Sequence, residues 1–153
     1  MDWMVDILNN HILINAFCAW AAAQIIKTII YAIMNKTIDI RRLLGAGGMP
    51  SSHTATVAAM VTTAGWEYGL DSPIFAIAAI MLFVVTHDAM GVRMEAGKHA
   101  KLLNELNELV KSLQGIQFTE ERLKEFLGHT PIQVLFGGIL GILLSLLLCA
   151  MQL

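Results

Sequence analysis

Long apolar segments constrain this chain more than any other feature of its sequence. Residues 13–34, 73–90 and 132–153 each approach the length of about 20 mostly apolar residues that a helix needs to cross a bilayer. Residues 54–68 form a shorter, threonine-containing segment, which predicts a helix packed inside the bundle, whether or not it crosses fully. Hydrophobic residues make up 56% of the 153 residues and charged residues 14%, too few charges for the surface of a soluble domain. The sequence therefore predicts one integral membrane domain, residues 1–153.

The predicted fold class is all-α: a polytopic membrane helix bundle of about four spans with an amphipathic cytoplasmic helical hairpin. The hairpin is predicted over residues 98–127, between the last two spans. Its first helix has leucines at helical spacing with charged residues opposite them, and its second is predicted over residues 119–127. We expect this insertion to lie against the membrane surface or the mouth of the bundle.

Basic residues are distributed unevenly along the chain. Nine of the ten Lys and Arg residues lie in the loops before the second span and before the last span. With four spans these loops share one side, which the positive-inside rule assigns to the cytoplasm, with both termini outside. The net charge of −2 gives no reason to expect a nucleic-acid partner. The sequence leaves a homodimer open.

Three polar motifs interrupt the apolar pattern, and all of them lie on the basic side. They are residues 47–54 (Gly-Gly-Met-Pro-Ser-Ser-His-Thr), 87–93 (His-Asp-Ala-Met-Gly-Val-Arg) and 127–134 (Leu-Gly-His-Thr-Pro-Ile-Gln-Val). In the first motif Ser51 or Ser52 can cap a helix whose first turn holds His53, and a helix N-terminus is a ready site for phosphate. Lys27 lies about 10 Å inside the first span, where a charge usually serves function.

These residue types together indicate phosphoryl transfer through a histidine. Lys27 and Arg93 can stabilise charge on phosphate oxygens while one histidine attacks phosphorus. The other histidine can protonate the leaving oxygen. Asp88 can orient a histidine or pair with Arg93. The sequence has no carboxylate cluster of metal-binding type, so we expect no metal and no other cofactor.

The three motifs resemble those of the type 2 phosphatidic acid phosphatase superfamily, and more closely its divergent, YuiD-like bacterial and plastid branch. The superfamily's Pro-Ser-Gly-His signature is similar to residues 50–53, with Ser52 in place of glycine. Its Ser-Arg signature is matched by Val92-Arg93, and its His-Tyr-Pro-Ser-Asp run by residues 129–133. The divergent branch shares the Gly-Gly-Met, Asp-Ala and Gly-Val-Arg elements, so the resemblance covers most of the chain.

The resemblance implies a role for each of these side chains. His129 is the implied nucleophile, His53 the general acid, and Arg93 with Ser51 or Ser52 the phosphate-binding group. Lys27 stands in for the signature lysine. Arg41 and Arg42 are candidates for the signature arginine, although no proline follows them and their spacing differs.

Two departures from the superfamily pattern affect the predicted chemistry. Gln133 occupies the position of the aspartate that orients and charges the nucleophilic histidine, and a glutamine cannot stabilise an imidazolium electrostatically. Asp88 is a candidate to compensate. The chain between Arg93 and His129 is also about thirty residues longer than usual, which leaves His99, at the usual separation from Arg93, as an alternative nucleophile. We favour His129, because no Pro or Gly pattern follows His99, and interpret His11 and His87 as structural or peripheral.

The predicted function is that of a metal-independent phosphatase. It would hydrolyse a lipid phosphate through a phosphohistidine, at the cytoplasmic face of a bacterial inner (plasma) membrane. Phosphatidylglycerophosphate, isoprenyl pyrophosphates and phosphatidic acid are the candidate substrates. The alternative, favoured by Gln133 and the incomplete first signature, is a weakly active or inactive relative that binds or transports anionic lipid head groups.

Overall fold

The computed structural model describes residues 3–37, 48–114, 123 and 128–151. Every regular element in these residues is an α-helix. The helices are α1 (Trp3–Leu8), α2 (His11–Asn35), α3 (Ser52–Tyr68), α4 (Pro73–Met90), α5 (Val92–Gln114) and α6 (Pro131–Met151). The chain thus forms the predicted polytopic helical membrane bundle. Two features were not anticipated: the short helix α1, and the start of α5 at Val92 rather than near residue 98.

Side-chain caps fix where the main helices begin. Asn10 Oδ1 accepts the Leu13 N–H at 3.0 Å before α2, and Ser72 Oγ accepts the Phe75 N–H at 3.1 Å before α4. Such caps satisfy backbone donors that have no partner within the helix. Both α4 and α6 begin with proline, which lacks the N–H that the first turn would leave unpaired.

Three helical segments among the described residues are long and apolar enough to cross a membrane: α2, α4 with its continuation into α5, and α6. Helix α3 is shorter, at 17 residues, or about 26 Å against a hydrocarbon core of about 30 Å. It lies at the centre of the bundle and contacts α2, α4 and α6. Its burial agrees with the prediction of a helix packed inside the bundle.

Small side chains allow these helices to approach closely. Ala19 and Ala23 of α2 pack against Ala55 and Ala59 of α3, and all four are fully buried. On α6, the buried residues facing α3 recur every four positions: Gly137, Gly141, Ser145 and Cys149. In lipid, such packing replaces the hydrophobic effect as the force between helices.

A buried polar cluster joins α2, α3 and α6 far from the predicted motifs. The Thr63 and Ser145 hydroxyls lie 2.7 Å apart, and Asn15 Nδ2 donates to Thr63 Oγ1 at 3.1 Å. All three side chains are fully buried, and Ser145 Oγ also donates to the Ala59 carbonyl at 3.2 Å. Because each group has a partner, the cluster can be accommodated at membrane depth and adds directional contacts between the helices.

The ends of α2 and α4 and the starts of α3 and α6 meet at one end of the bundle, here called the site end. The Ser51 N–H donates to the Gln133 carbonyl at 3.0 Å, which joins the start of α3 to the start of α6. The His129 N–H donates to the Ala89 carbonyl at 2.9 Å, which joins the start of α6 to the end of α4. The predicted second helix of the hairpin, residues 119–127, lies almost entirely outside the described residues.

Candidate functional site

His129 is fixed at the site end by its backbone and by the glycine before it. Gly128 has a φ of +85°, a conformation that favours glycine. A Cβ at this position would lie 2.5 Å from the Met94 backbone nitrogen. Only glycine therefore allows the backbone before α6 to pack this closely against the start of α5. With its N–H bonded to Ala89, His129 is held with only 4% of its surface exposed.

Hydrogen bonds around Gln133 determine which nitrogen of His129 carries the proton. The Thr130 N–H, which can only donate, lies 3.2 Å from Gln133 Oε1, so this atom is an acceptor. His129 Nδ1 lies 3.1 Å from the same oxygen and must therefore donate its own hydrogen. The Gln133 N–H approaches Thr130 Oγ1 at 3.4 Å, which completes a reciprocal capping box. In neutral His129 the lone pair consequently resides on Nε2, the arrangement that a nucleophile needs.

His53 lies opposite His129, in the first turn of α3. The two imidazole ring centroids are 6.0 Å apart, with the ring planes inclined at 59°. His53 Nδ1 is buried and has no hydrogen-bond partner in the part of the chain that the structure describes. The two rings thus lie close together at the meeting point of two helix N-termini, where the dipoles favour an anion.

The two serines before His53 have different surroundings. Ser51 is fully buried, and its Oγ accepts from the Thr54 N–H at 3.3 Å and contacts the Thr54 hydroxyl at 3.0 Å. Ser51 is therefore committed to capping α3. The Ser52 hydroxyl makes no hydrogen bond of this kind to the residues in the described ranges, so helix capping does not occupy it.

Lys27 reaches the site from the middle of α2. It is 4% exposed, and its Nζ donates to Gln24 Oε1 at 2.9 Å, one turn earlier on the helix. Gly48, with a φ of +87°, packs on the lysine stem: a Cβ there would lie 3.1 Å from Lys27 Cγ. Gly48 therefore covers part of the lysine side chain, and the buried ammonium acts electrostatically on both imidazoles.

Arg93 approaches the site from the start of α5. Its Nε donates to Asp88 Oδ2 at 2.7 Å, and both side chains are partly exposed. The ion pair uses one edge of the guanidinium, and the arginine also acts electrostatically on both histidines. Asp88 pairs with Arg93 and not with His129 in the described structure. It therefore positions the arginine and does not take the place of the aspartate that the superfamily has at the position of Gln133.

Burial lowers the pKa of His129 below its usual value. The hydrogen bond to Gln133 opposes this effect, while the positive charges of Lys27 and Arg93 lower the pKa further. Both burial and neighbouring cations disfavour the imidazolium. His129 is therefore neutral at pH 7, with its Nε2 lone pair available.

The remaining candidates lie outside this group. His99 is exposed on α5, and His87 is exposed and stacked on Phe83. His11 pairs with Glu67 at the opposite end of the bundle, with 2.5 Å between Nδ1 and Oε1. Arg41 and Arg42 fall outside the described residues. Within the described ranges, no group of three His, Cys, Asp or Glu side chains could hold a metal ion.

Sequence reasoning did not find the contacts that hold the site together. These contacts are the hydrogen bond from the His129 N–H to the Ala89 carbonyl, the close packing of Gly128 on α5 and the packing of Gly48 on Lys27. The Gly-Gly and Leu-Gly-His patterns marked both loops, but nothing local to the sequence identifies their partners.

Comparison with known proteins identifies the family of this chain. A model of the Divergent PAP2 family matches residues 8–144. The uncharacterized membrane protein YuiD of Bacillus subtilis (strain 168) is 40% identical over 153 residues, which covers 94% of this chain and 97% of the relative. No solved structure matches the chain significantly. This integral membrane protein belongs to the Divergent PAP2 family.

Proposed function

We propose that this protein is a metal-independent phosphatase that hydrolyses a lipid phosphate through a phosphohistidine on His129. The observation that carries the proposal is the pair of facing imidazoles, 6.0 Å apart between centroids, with Lys27 and Arg93 beside them. A phosphate bound beside the two rings would be within reach of a nucleophile from one imidazole and a proton donor from the other. Family membership supports the same chemistry.

The proposed reaction has two steps. His53 takes up a proton when the phosphate anion binds beside it, because a neighbouring negative charge favours the imidazolium. His129 Nε2 then attacks phosphorus, the bond from phosphorus to the ester oxygen breaks, and His53 gives its proton to that leaving oxygen. Water then attacks the phosphohistidine, His53 takes a proton from the water, and inorganic phosphate leaves with His129 restored. Lys27, Arg93 and the Ser52 hydroxyl stabilise the charge on the three non-bridging oxygens throughout.

We infer that the site faces the cytoplasm of a bacterial inner (plasma) membrane, with both termini outside. In the sequence, nine of the ten Lys and Arg residues fall between residues 36 and 42 or between residues 93 and 124, in the two segments that four spans would connect on one side, which supports this orientation through the positive-inside rule. The bacterial relative supports the membrane type. A lipid phosphate made in the cytoplasmic leaflet, such as phosphatidylglycerophosphate, phosphatidic acid or an isoprenyl pyrophosphate, would reach this site. The amphipathic helix α5 would lie at that surface as part of the single membrane domain.

Phosphate release by purified protein tests the proposal. The detergent-solubilised chain is expected to release phosphate from at least one of the three lipid classes, and to do so with EDTA present. Turnover that requires an added divalent cation would contradict the metal-independent mechanism. Absence of turnover across the panel, from folded protein that binds anionic lipid, would reject the phosphatase.

The pH dependence of turnover is expected to respond to Gln133→Glu. His129 acts in its neutral form, so kcat/KM falls as the pH drops through its pKa, which burial and cations place below the usual value. A glutamate keeps the capping box and adds a negative charge that favours the imidazolium, so the acid limb of the pH profile should move to higher pH by about one unit. An unmoved acid limb would show that this limb does not report His129.

A second function is favoured by one observation, namely the neutral Gln133 in contact with the proposed nucleophile. A protein that only binds or moves anionic lipid head groups would retain the cationic site and dispense with a carboxylate that charges the histidine. Turnover and head-group binding, both measured before and after the substitution His129→Ala, separate the two functions. The phosphatase loses turnover and keeps most of its binding, whereas the binding protein shows no turnover before or after substitution.

A further inference from the structure

An apolar groove of about 460 Å³ leads away from the site between α4 and α6, with α3 as its floor. Its lining at the site end includes Thr54, Met90 and Val134. Each of these residues is a direct chain neighbour of a site element: His53, the Ala89 carbonyl that holds His129, and Gln133. The groove opens because α4 and α6 contact each other far less than either contacts α3.

The length of the groove matches one leaflet of a bilayer. Its lining on α6 extends from Val134 to Ile142, a span of nine residues with about 12 Å of helix rise, against about 15 Å for half of the hydrocarbon core. The volume lies within the range of roughly 300–1,000 Å³ that is typical of small-molecule pockets. Phe83 and Ile139, both lining residues, are also exposed at the lipid-facing surface.

Gly138 keeps this groove open. A Cβ at this position would lie 3.7 Å from Thr54 Cγ2, an ordinary contact, so the helix backbone itself does not require glycine here. A larger side chain would project into the space between α4 and α6. The flanking residues Gly137 and Gly141 differ, because a Cβ on either would lie within 2.5 Å of an α3 carbonyl oxygen.

We propose that this groove between α4 and α6 holds one hydrocarbon chain of the lipid phosphate whose head group lies beside His53 and His129. The head-group part rests on the proposed function. Bulk lipid tails are as apolar as the groove, so moving a hydrocarbon chain from the bilayer into the groove yields little hydrophobic binding free energy. Its contribution is positional: a chain held along α6 places the phosphate at the level of the two imidazoles and brings the substrate in sideways from the leaflet.

Photocrosslinking of the full chain in lipid nanodiscs tests the groove without requiring turnover. The probe is a phosphatidic acid with a diazirine in one acyl chain, and the matched probe is a phosphatidylcholine with the same chain. We expect the phosphatidic acid probe to label Leu82, Phe83 and Ile139, and unlabelled phosphatidic acid to compete. The proposal would be overturned if the two probes labelled the groove residues equally and no more strongly than the exposed residues Ile77 and Leu143. That result would mean that ordinary bilayer lipid fills the groove.

Two pairs of variants give a second measurement. Gly138→Leu and Ala79→Leu fill the groove from α6 and α4, while Ala150→Leu and Ala76→Leu, at exposed positions outside the groove on the same two helices, are the matched controls. Groove filling is expected to lower kcat/KM for a long-chain lipid phosphate by roughly tenfold and to leave a short-chain analogue nearly unchanged. Equal effects on the long-chain and short-chain substrates would overturn the proposal for the groove and leave the proposed phosphatase activity standing. Groove labelling without turnover of any substrate would instead reject the phosphatase and retain the binding site.

Discussion

Replacing His129 with alanine is expected to lower kcat by a factor of about 10³ or more, because it removes the atom that forms the bond to phosphorus. The variant should still fold, since the Gly128 turn and the hydrogen bond from residue 129 to the Ala89 carbonyl involve only the backbone. Binding of a lipid phosphate should weaken little, because Lys27 and Arg93 remain. The measurement is phosphate release together with lipid binding, on the same preparation.

His99→Ala is the matched control for this substitution. His99 lies at the separation from Arg93 that the wider superfamily uses, but it is exposed on α5, and the contacts described at the site do not include it. Its removal is expected to change kcat by less than about twofold, in line with a surface substitution. Loss of turnover in His99→Ala with turnover preserved in His129→Ala would reverse the assignment of the nucleophile.

The difference between these two histidines shows what local sequence cannot decide. Both follow Arg93 along the chain, and both are compatible with a basic segment near the membrane. In the structure, the contact of Gly128 with the backbone of Met94 and the hydrogen bond from the His129 N–H to the Ala89 carbonyl bring His129 to the end of α4, whereas His99 is exposed on α5. The contact of Gly128 with Met94 joins residues about 35 positions apart, a separation at which sequence periodicity carries no information.

Features with strong local signals were predicted well. The bounds of α4 agree with the prediction because Ser72-Pro73 and Gly91 mark both ends of an apolar run. Helix α1, with six residues, is too short for a periodic pattern to appear. The polar cluster of Asn15, Thr63 and Ser145 was missed, because its members lie on three helices and each is an isolated polar residue in an apolar segment.

The structure brings four of the candidates, Lys27, His53, Arg93 and His129, to one end of the bundle. The sequence did not predict which side chains these residues contact. Asp88 was open between orienting a histidine and pairing with Arg93, and the 2.7 Å contact to Arg93 is a tertiary result at a helix junction. Ser51 and Ser52 were equivalent in the sequence, and the position of the helix start separates them.

Substitution of the α6 glycines is expected to have the largest effect on stability. A Cβ at Gly137 would lie 2.4 Å from the Ser51 carbonyl oxygen, and one at Gly141 would lie 2.3 Å from the Ala55 carbonyl oxygen. Neither oxygen can move without displacing α3, so Gly137→Ala and Gly141→Ala should each lower the free energy of unfolding by about 1–3 kcal/mol. Gly138→Ala, whose Cβ has room, should be neutral or slightly stabilising because alanine favours the helix.

Unfolding in mixed detergent micelles, followed by circular dichroism, measures these differences, and activity per folded molecule separates their causes. Gly137 packs on Ser51, which caps the helix that carries His53, so Gly137→Ala should also reduce turnover in the fraction that remains folded. Gly141 packs one helical turn deeper and should affect stability alone. If Gly138→Ala were as destabilising as the other two, the loss of stability would reflect glycine content in general rather than the close approach of α6 to α3. If Gly141→Ala reduced turnover as much as Gly137→Ala, the site would depend on the packing of the whole α3–α6 pair rather than on the capped start of α3.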